Sequence, residues 1–282
     1  DKYRRGVVGV VAGSDAYPGA GLLTTFAASN TGVGMVRLNS TRRVEDLVLH
    51  YAPGVVTVGG RIQSGVIGPG CTNERYEDCR ELAQFCIDSK LPLVIDAGAL
   101  DLVKGLRDYA DAHSRSLSRT ILTPHHGEAA RLLSQLGSPC SRADIDADPA
   151  ASAKELASLT GAIILLKSSN TLCSYLHHDQ GNRTQEIFSI PQETPWAGVA
   201  GSGDVLAGTV AGIAAGFQAR AERRQGNPSI SEGECATLAS LGAWVHAQAA
   251  FRASVSSEGH AHPIQAIDIA RALPEIIGGL CS

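Results

Sequence analysis

The run Ala200-Gly201-Ser202-Gly203-Asp204-Val205-Leu206-Ala207-Gly208 sets a carboxylate directly behind a glycine-rich turn. A turn of this kind that opens an apolar helix presents several unpaired backbone N–H groups at the positive end of the helix dipole. Such a nest suits a phosphoryl group whose negative charge is being redistributed. Asp204, in the first helical turn, is placed to reach a substrate hydroxyl and accept its proton. The competing assignment is structural, since Asp often stabilises a helix start and glycine often marks a loop. The continuation favours chemistry: Gly208, Gly212 and Gly216 recur every four residues and give the helix a thin face for close approach to a neighbour. The run is not a Walker A loop, because no GxxxxGK[ST] occurs. A membrane GxxxG dimer fails on length, the apolar stretch being too short.

The elements that must position these groups follow an alternating pattern. Val7–Ala12 is a short apolar run ended by Gly13, as expected for a buried parallel strand, and Gly13-Ser14-Asp15-Ala16-Tyr17-Pro18-Gly19-Ala20-Gly21 leads from it into a helix over Leu22–Ser29. Strands are predicted at Val55–Val58, Val66–Ile67, Leu93–Ile95, Thr120–Leu122 and Ala162–Leu166, and helices at Asn73–Asp88, Glu128–Leu136 and Asp148–Leu159. Thr171–Leu176 and Glu186–Ile190 read as a peripheral hairpin around Asp179–Asn182. Helices at Asp204–Ala215, Glu234–Ala253 and Ile264–Leu273 close the chain, with surface loops at Gln225–Ser231 and Ser254–Pro263. The polar residues of interest fall just after strand C-termini, the edge at which an open parallel sheet binds ligands. The expected fold is therefore α/β, with a mostly parallel central sheet and helices on both faces, as one domain over residues 1–282.

Composition agrees. With 44% hydrophobic and 18% charged residues among 282, there is enough apolar material for a sizeable core. A net charge of −4 argues against a nucleic-acid or anionic-membrane surface but leaves room for a local cationic phosphate site. Seven cysteines, without a CxxC pair or zinc-type spacing, read as free thiols of a reducing cytoplasm. No apolar stretch spans a bilayer and no signal peptide opens the sequence, which starts at Asp1 without an initiator Met. His177, His178, His260 and His262 lack a partner set for a metal and are assigned to the surface.

The motifs, in order, are VVAGSDAYPGAGLLTTFAASNTGVGMVRL (Val10–Leu38), VIGPG (Val66–Gly70), LPLVIDAGAL (Leu91–Leu100), ILTPHHGEAARLL (Ile121–Leu133), AIILLKSSNT (Ala162–Thr171) and AGSGDVLAG (Ala200–Gly208). Together they span most of the chain and resemble the ADP- or ATP-dependent NAD(P)H-hydrate dehydratases, carbon–oxygen lyases of the ribokinase-like superfamily. The GSxxYxGA block and TPHxGE are specific to that family, whereas GxGD is shared by all ribokinase-like enzymes. The resemblance implies a ribokinase-like three-layer sandwich, with an adenine nucleotide, Mg²⁺ and NAD(P)H hydrate as ligands. The nucleotide donates its terminal phosphate to the hydrate's hydroxyl. Loss of phosphate then regenerates NAD(P)H and leaves AMP or ADP.

By the same resemblance Asp204 is the base, and Gly201, Ser202 and Gly203 bind the transferring group. Ala20, Gly70 and His125 contact the hydrate. Lys167, Ser168, Ser169, Asn170, Thr171 and Gly203 contact the nucleotide, and Glu128 organises magnesium through water. His126 is better read as a loop and helix-cap residue, and a strand-end lysine like Lys167 is ordinarily just solvated. Two positions depart from the family pattern: Gly98 stands where DADAL has its second Asp, and Ser168 where glycine follows the lysine. The family further implies a cytoplasmic homotetramer and a hydrate epimerase as an N-terminal domain or partner. The competing functions are a vitamin or sugar kinase of the same fold and a non-catalytic nucleotide-binding protein.

Overall fold

Short runs rich in Val, Ile and Leu form the strands, because branched side chains pack well on a pleated surface covered on both sides. The strands are β1 (Val7–Val11), β2 (Met35–Asn39), β3 (Ser64–Ile67), β4 (Leu93–Ile95), β5 (Thr120–Leu122), β6 (Ile163–Leu166), β7 (Asn170–Asp179) and β8 (Asn182–Pro191). The helices are α1 (Lys2–Arg5), α2 (Pro18–Asn30), α3 (Arg42–Tyr51), α4 (Tyr76–Asp88), α5 (Val103–Ala112), α6 (His126–Gln135), α7 (Arg142–Ala147), α8 (Pro149–Thr160), α9 (Ser202–Ala221), α10 (Glu232–Ala253) and α11 (Ala266–Cys281). This is a computed structural model describing residues 1–179, 182–224 and 229–281.

All strands join one sheet in the order β2-β1-β3-β4-β5-β6-β7-β8. Pairing is parallel from β2 through β6 and antiparallel at β6–β7 and β7–β8. Strand side chains alternate between two cores. Val8, Val10 and Val94 join residues of α2, α9 and α10 in one core, while Val7, Val11, Leu93 and Ile95 join residues of α4, α5 and α6 in the other. The three-layer sandwich follows directly from that alternation.

The order in which strands are added reverses at β1, whose neighbours are β2 on one side and β3 on the other. The loops after β1 and β3 close on each other there: the Gly13 amide donates to the Pro69 carbonyl at 2.7 Å and the Gly68 amide to Val11 at 3.1 Å. A crevice at the carboxyl ends of strands beside such a reversal is where open α/β sheets bind ligands.

Several expectations need correction. Val55–Val58 forms no strand; Val56 makes only an isolated bridge with Arg37 on the outer side of β2, the short run being bounded by Pro53-Gly54 and Gly59-Gly60. β2, α3, α5 and α7 were not expected: Arg37 interrupts the apolar pattern of β2, and α5 buries only Val103, Leu106 and Ala110. The last helix begins at Ala266 rather than Ile264 and continues through Pro274 to Cys281. The turn around Asp179–Asn182 and the loop at Gln225–Ser231 lie partly outside the described residues.

Candidate active site

A cleft of about 770 Å³ opens at the carboxyl ends of the central strands and gathers Asp96, His125, Lys167, Ser168, Ser169, Thr171, Gly201, Ser202, Gly203, Asp204 and His246. Gly201 caps α9 with φ +88°, a left-handed conformation in which a Cβ would also collide with Leu23. The Ser202 amide donates to the Val199 carbonyl at 3.2 Å, and the first bond of the helix runs from Val205 to Gly201 at 3.1 Å. Among the described residues nothing accepts from the amides of Gly203 and Asp204. The free N–H pair therefore belongs to residues 203 and 204, and the Ser202 amide is spent on the turn itself.

Gly208 and Gly212 face α2, where a Cβ would strike the Thr24 carbonyl oxygen and Thr31 respectively. The thin face expected from the four-residue spacing is thus a contact with α2, which also carries Ala20. Gly216, the third of the series, has only ordinary room, its Cβ position lying 3.6 Å from the Arg5 carbonyl oxygen.

Three carboxylates converge on one ammonium. Asp96, 2% exposed, ends β4 and accepts from Lys167 Nζ at 2.6 Å and from the Thr123 hydroxyl at 2.7 Å. Glu128 Oε2 lies 3.8 Å from the same Nζ. Burial pulls the Lys167 ammonium down, but Asp96, Glu128 and Asp204 outweigh it and hold it above its ordinary value. A Cβ on Gly203 would stand 3.3 Å from Nζ, so the cation sits against the glycine turn. Burial, then the negative field of Asp96 and Glu128, pushes the Asp204 carboxyl up to about 7, with Lys167 opposing. Among the described residues none donates a hydrogen bond to that carboxylate, so its oxygens are free to accept from a ligand.

His125 caps α6 in a reciprocal box. Its Nδ1 accepts from the Glu128 amide at 3.2 Å, and Glu128 Oε2 accepts from the His125 amide at 2.8 Å. That contact leaves the neutral ring's proton on Nε2, which lies 3.6 Å from Glu128 Oε1 on a side chain 60% exposed. The cap expected of His126 is supplied by His125, while His126 Nδ1 pairs with Asp146 at 2.5 Å.

Ala20 and Gly70 do not line the 770 Å³ cleft. They face one another at the β1–β3 crevice: Gly70 has φ +64°, and a Cβ on it would lie 2.5 Å from Ala20 Cβ. Asn170 also stands outside the cleft and accepts from the Ser189 hydroxyl at 2.8 Å. A Cβ on Gly98 would clash with the Cys71 carbonyl oxygen, so the backbone at this departure from the family pattern is tightly packed. Asp96 and His246 were missed as site residues. Asp96 could have been suspected as the one acid at the end of a β-like run, but nothing in the sequence marks His246, which lies within the long α10.

The sequence pattern of the NAD(P)H-hydrate dehydratases matches residues 8–269. The chain is 37% identical over 220 residues to the bifunctional NAD(P)H-hydrate repair enzyme Nnr of Mycobacterium tuberculosis, an alignment covering 76% of this chain and 42% of that protein. It is 33% identical over 283 residues to the enzyme of the same name from Corynebacterium glutamicum, covering 97% and 47%. The chain thus spans under half the length of these curated relatives. Its fold is that of the ADP/ATP-dependent NAD(P)H-hydrate dehydratase of Bacillus subtilis co-crystallised with ATP and Mg²⁺, with a TM-score of 0.72 at 22% identity over 99% of this chain and 91% of that one.

Proposed function

The chain belongs to the NAD(P)H-hydrate dehydratase family, and from that we propose that it uses ADP or ATP to dehydrate (6S)-NAD(P)H hydrate to NAD(P)H. The observation that carries the reading is the meeting, in one cleft, of two unpaired amides at the start of α9, the Lys167 ammonium and a carboxylate with free oxygens. Asp204 takes the proton of the hydrate's hydroxyl, whose oxygen attacks the terminal phosphorus as the bond to the nucleotide breaks. The Gly203 and Asp204 amides receive the charge that spreads over the transferring group. AMP or ADP is the leaving group of that transfer; departure of phosphate from the ring carbon, with loss of a proton from the adjacent ring carbon, then forms the ring double bond and restores the dihydronicotinamide. Lys167, Ser168, Ser169 and Thr171 line the nucleotide side of the cleft. Ala20 and Gly70 shape the hydrate side at the crevice between β1 and β3, and His125 presents Nε2–H at the cleft.

A magnesium ion fits as a hydrated ion. Glu128 Oε1 is not used by the helix cap, but among the described residues no three His, Cys, Asp or Glu side chains form a direct cage. Glu128, with Asp96 behind it, would hold the ion through water, and the ion would supply charge neutralisation at the terminal phosphates. A single ribokinase-like domain fits the one continuous sheet, and cytoplasmic residence fits the free cysteines. The tetramer rests on the family resemblance.

The test is to incubate the protein with NADH or NADPH hydrate, Mg²⁺, and ADP or ATP. Reduced-nicotinamide absorbance should return in step with phosphate release. Absence of that signal, with transfer of phosphate to another alcohol, would make the protein a kinase instead.

A further inference from the structure

His246 lies on α10, against the glycine turn, and is 4% exposed. Its Nε2 is 3.0 Å from the Ser202 carbonyl oxygen and 3.2 Å from the Ser202 hydroxyl, while its Nδ1 is buried without a partner. These contacts decide the tautomer. A proton on Nδ1 would leave a buried donor unsatisfied and set the Nε2 lone pair against a carbonyl oxygen. A proton on Nε2 instead donates to Ser202, so that the Nδ1 lone pair alone is left without a partner and no lone pair faces the carbonyl. Burial, with Lys167 nearby, takes the imidazole down to about 4, so the ring is neutral at physiological pH.

The Ser202 carbonyl and the Gly203 amide are the two ends of one rigid peptide plane and point in opposite directions. A donor that fixes the carbonyl therefore fixes the amide. That carbonyl is also the acceptor of the second bond of α9, and His246 adds a second donor to it at a turn where Gly201 and Gly203 offer no side chains to brace the backbone. We infer that His246 is a positioning residue: its Nε2–H clamps the Ser202 carbonyl and so aims the Gly203 amide at the transferring phosphoryl group. The inference rests on the reading of that turn as the phosphoryl cradle. It gives α10, which packs along α9 and α11 and over β7, a direct mechanical link to the reacting centre.

His246→Leu keeps the bulk and removes the donor, whereas His246→Gln places an amide N–H near the position of Nε2. The leucine variant should lose roughly 10- to 100-fold in kcat, somewhat less than outright removal of an oxyanion donor. Its KM for nucleotide should change less than about threefold, and His246→Gln should recover most of the rate. A folded His246→Leu within about twofold of wild-type kcat overturns the inference. Two measurements need neither turnover nor a stable variant. In the wild-type protein, nitrogen NMR should show the Nε2–H tautomer unchanged across about pH 6–8, and the Gly203 amide resonance should move when a non-hydrolysable nucleotide binds. An Nδ1–H tautomer, titration in that range or an unmoved Gly203 amide each refutes the clamp. A wild-type protein that passes both tests yet leaves the hydrate untouched overturns the proposed substrate and leaves the clamp standing.

Discussion

As the proposed base, Asp204 would act only when ionised, and its surroundings push its pKa up to about 7. The rate at limiting substrate should therefore fall about tenfold per pH unit below that value; a flat profile from pH 5 to 8 would place the base elsewhere. Asp204→Asn should reduce kcat at least about a hundredfold with nucleotide affinity nearly unchanged, and a loss under about tenfold, or 1.4 kcal/mol, would dismiss Asp204 as the base. The same shift has a stability sign. Because the folded pKa lies above the ordinary 3.8, the native state binds more protons across that window and loses stability as pH rises through it. Asp204→Asn should accordingly be more stable than wild type at pH 8, on the order of 1–3 kcal/mol. Lys167 has the opposite character. Lys167→Met strands the buried Asp96 without its partner and should lower stability by about 3–5 kcal/mol, with Asp96→Asn in the same chain restoring much of it. Urea midpoints of the two variants check this, and a fully stable single variant would show that Asp96 does not depend on the ammonium.

At the scale of elements, α9 both opens on the glycine turn of the cleft and packs against α2. Gly208→Ala pushes a methyl group into the Thr24 carbonyl, which is backbone and cannot swing aside, so a loss of about 1–3 kcal/mol is expected. Because α2 carries Ala20, this variant should also raise KM for the hydrate more than for the nucleotide. Gly216→Ala has room for its methyl group and should be neutral or more stable by about 0.5–1 kcal/mol through helix propensity. Equal melting of both variants would refute the close α2–α9 contact. The four-residue glycine spacing already announced a thin helix face. Which glycines use it depends on where α2 crosses, and no local pattern carries that information.

Across the whole molecule, the cleft is assembled from the ends of β4, β5 and β6 and the starts of α6 and α9, so a nucleotide bound there would tie together elements far apart in sequence. At about 100 times its Kd, nucleotide with Mg²⁺ should add about 2.7 kcal/mol and raise Tm by roughly 5 °C. Asp204→Asn should keep that shift and Lys167→Met lose most of it, as thermal melts would reveal. The alternating α/β order, most of the buried parallel strands and the glycine–aspartate turn were legible in the amino-acid order alone, because hydrophobic period, turn residues and helix starts are local properties. The sequence also singled out Asp204, Lys167 and His125, each lying just past a motif-bearing strand or opening a helix, and the fold brings all three to one cleft. Only the tertiary structure decided that Asp96 and Glu128 share the Lys167 ammonium, that Ala20 meets Gly70 apart from the main cleft, and that His246 reaches Ser202. Those pairings join residues tens of positions apart, and sheet order and helix crossing, rather than any local spacing, bring them within a few ångströms.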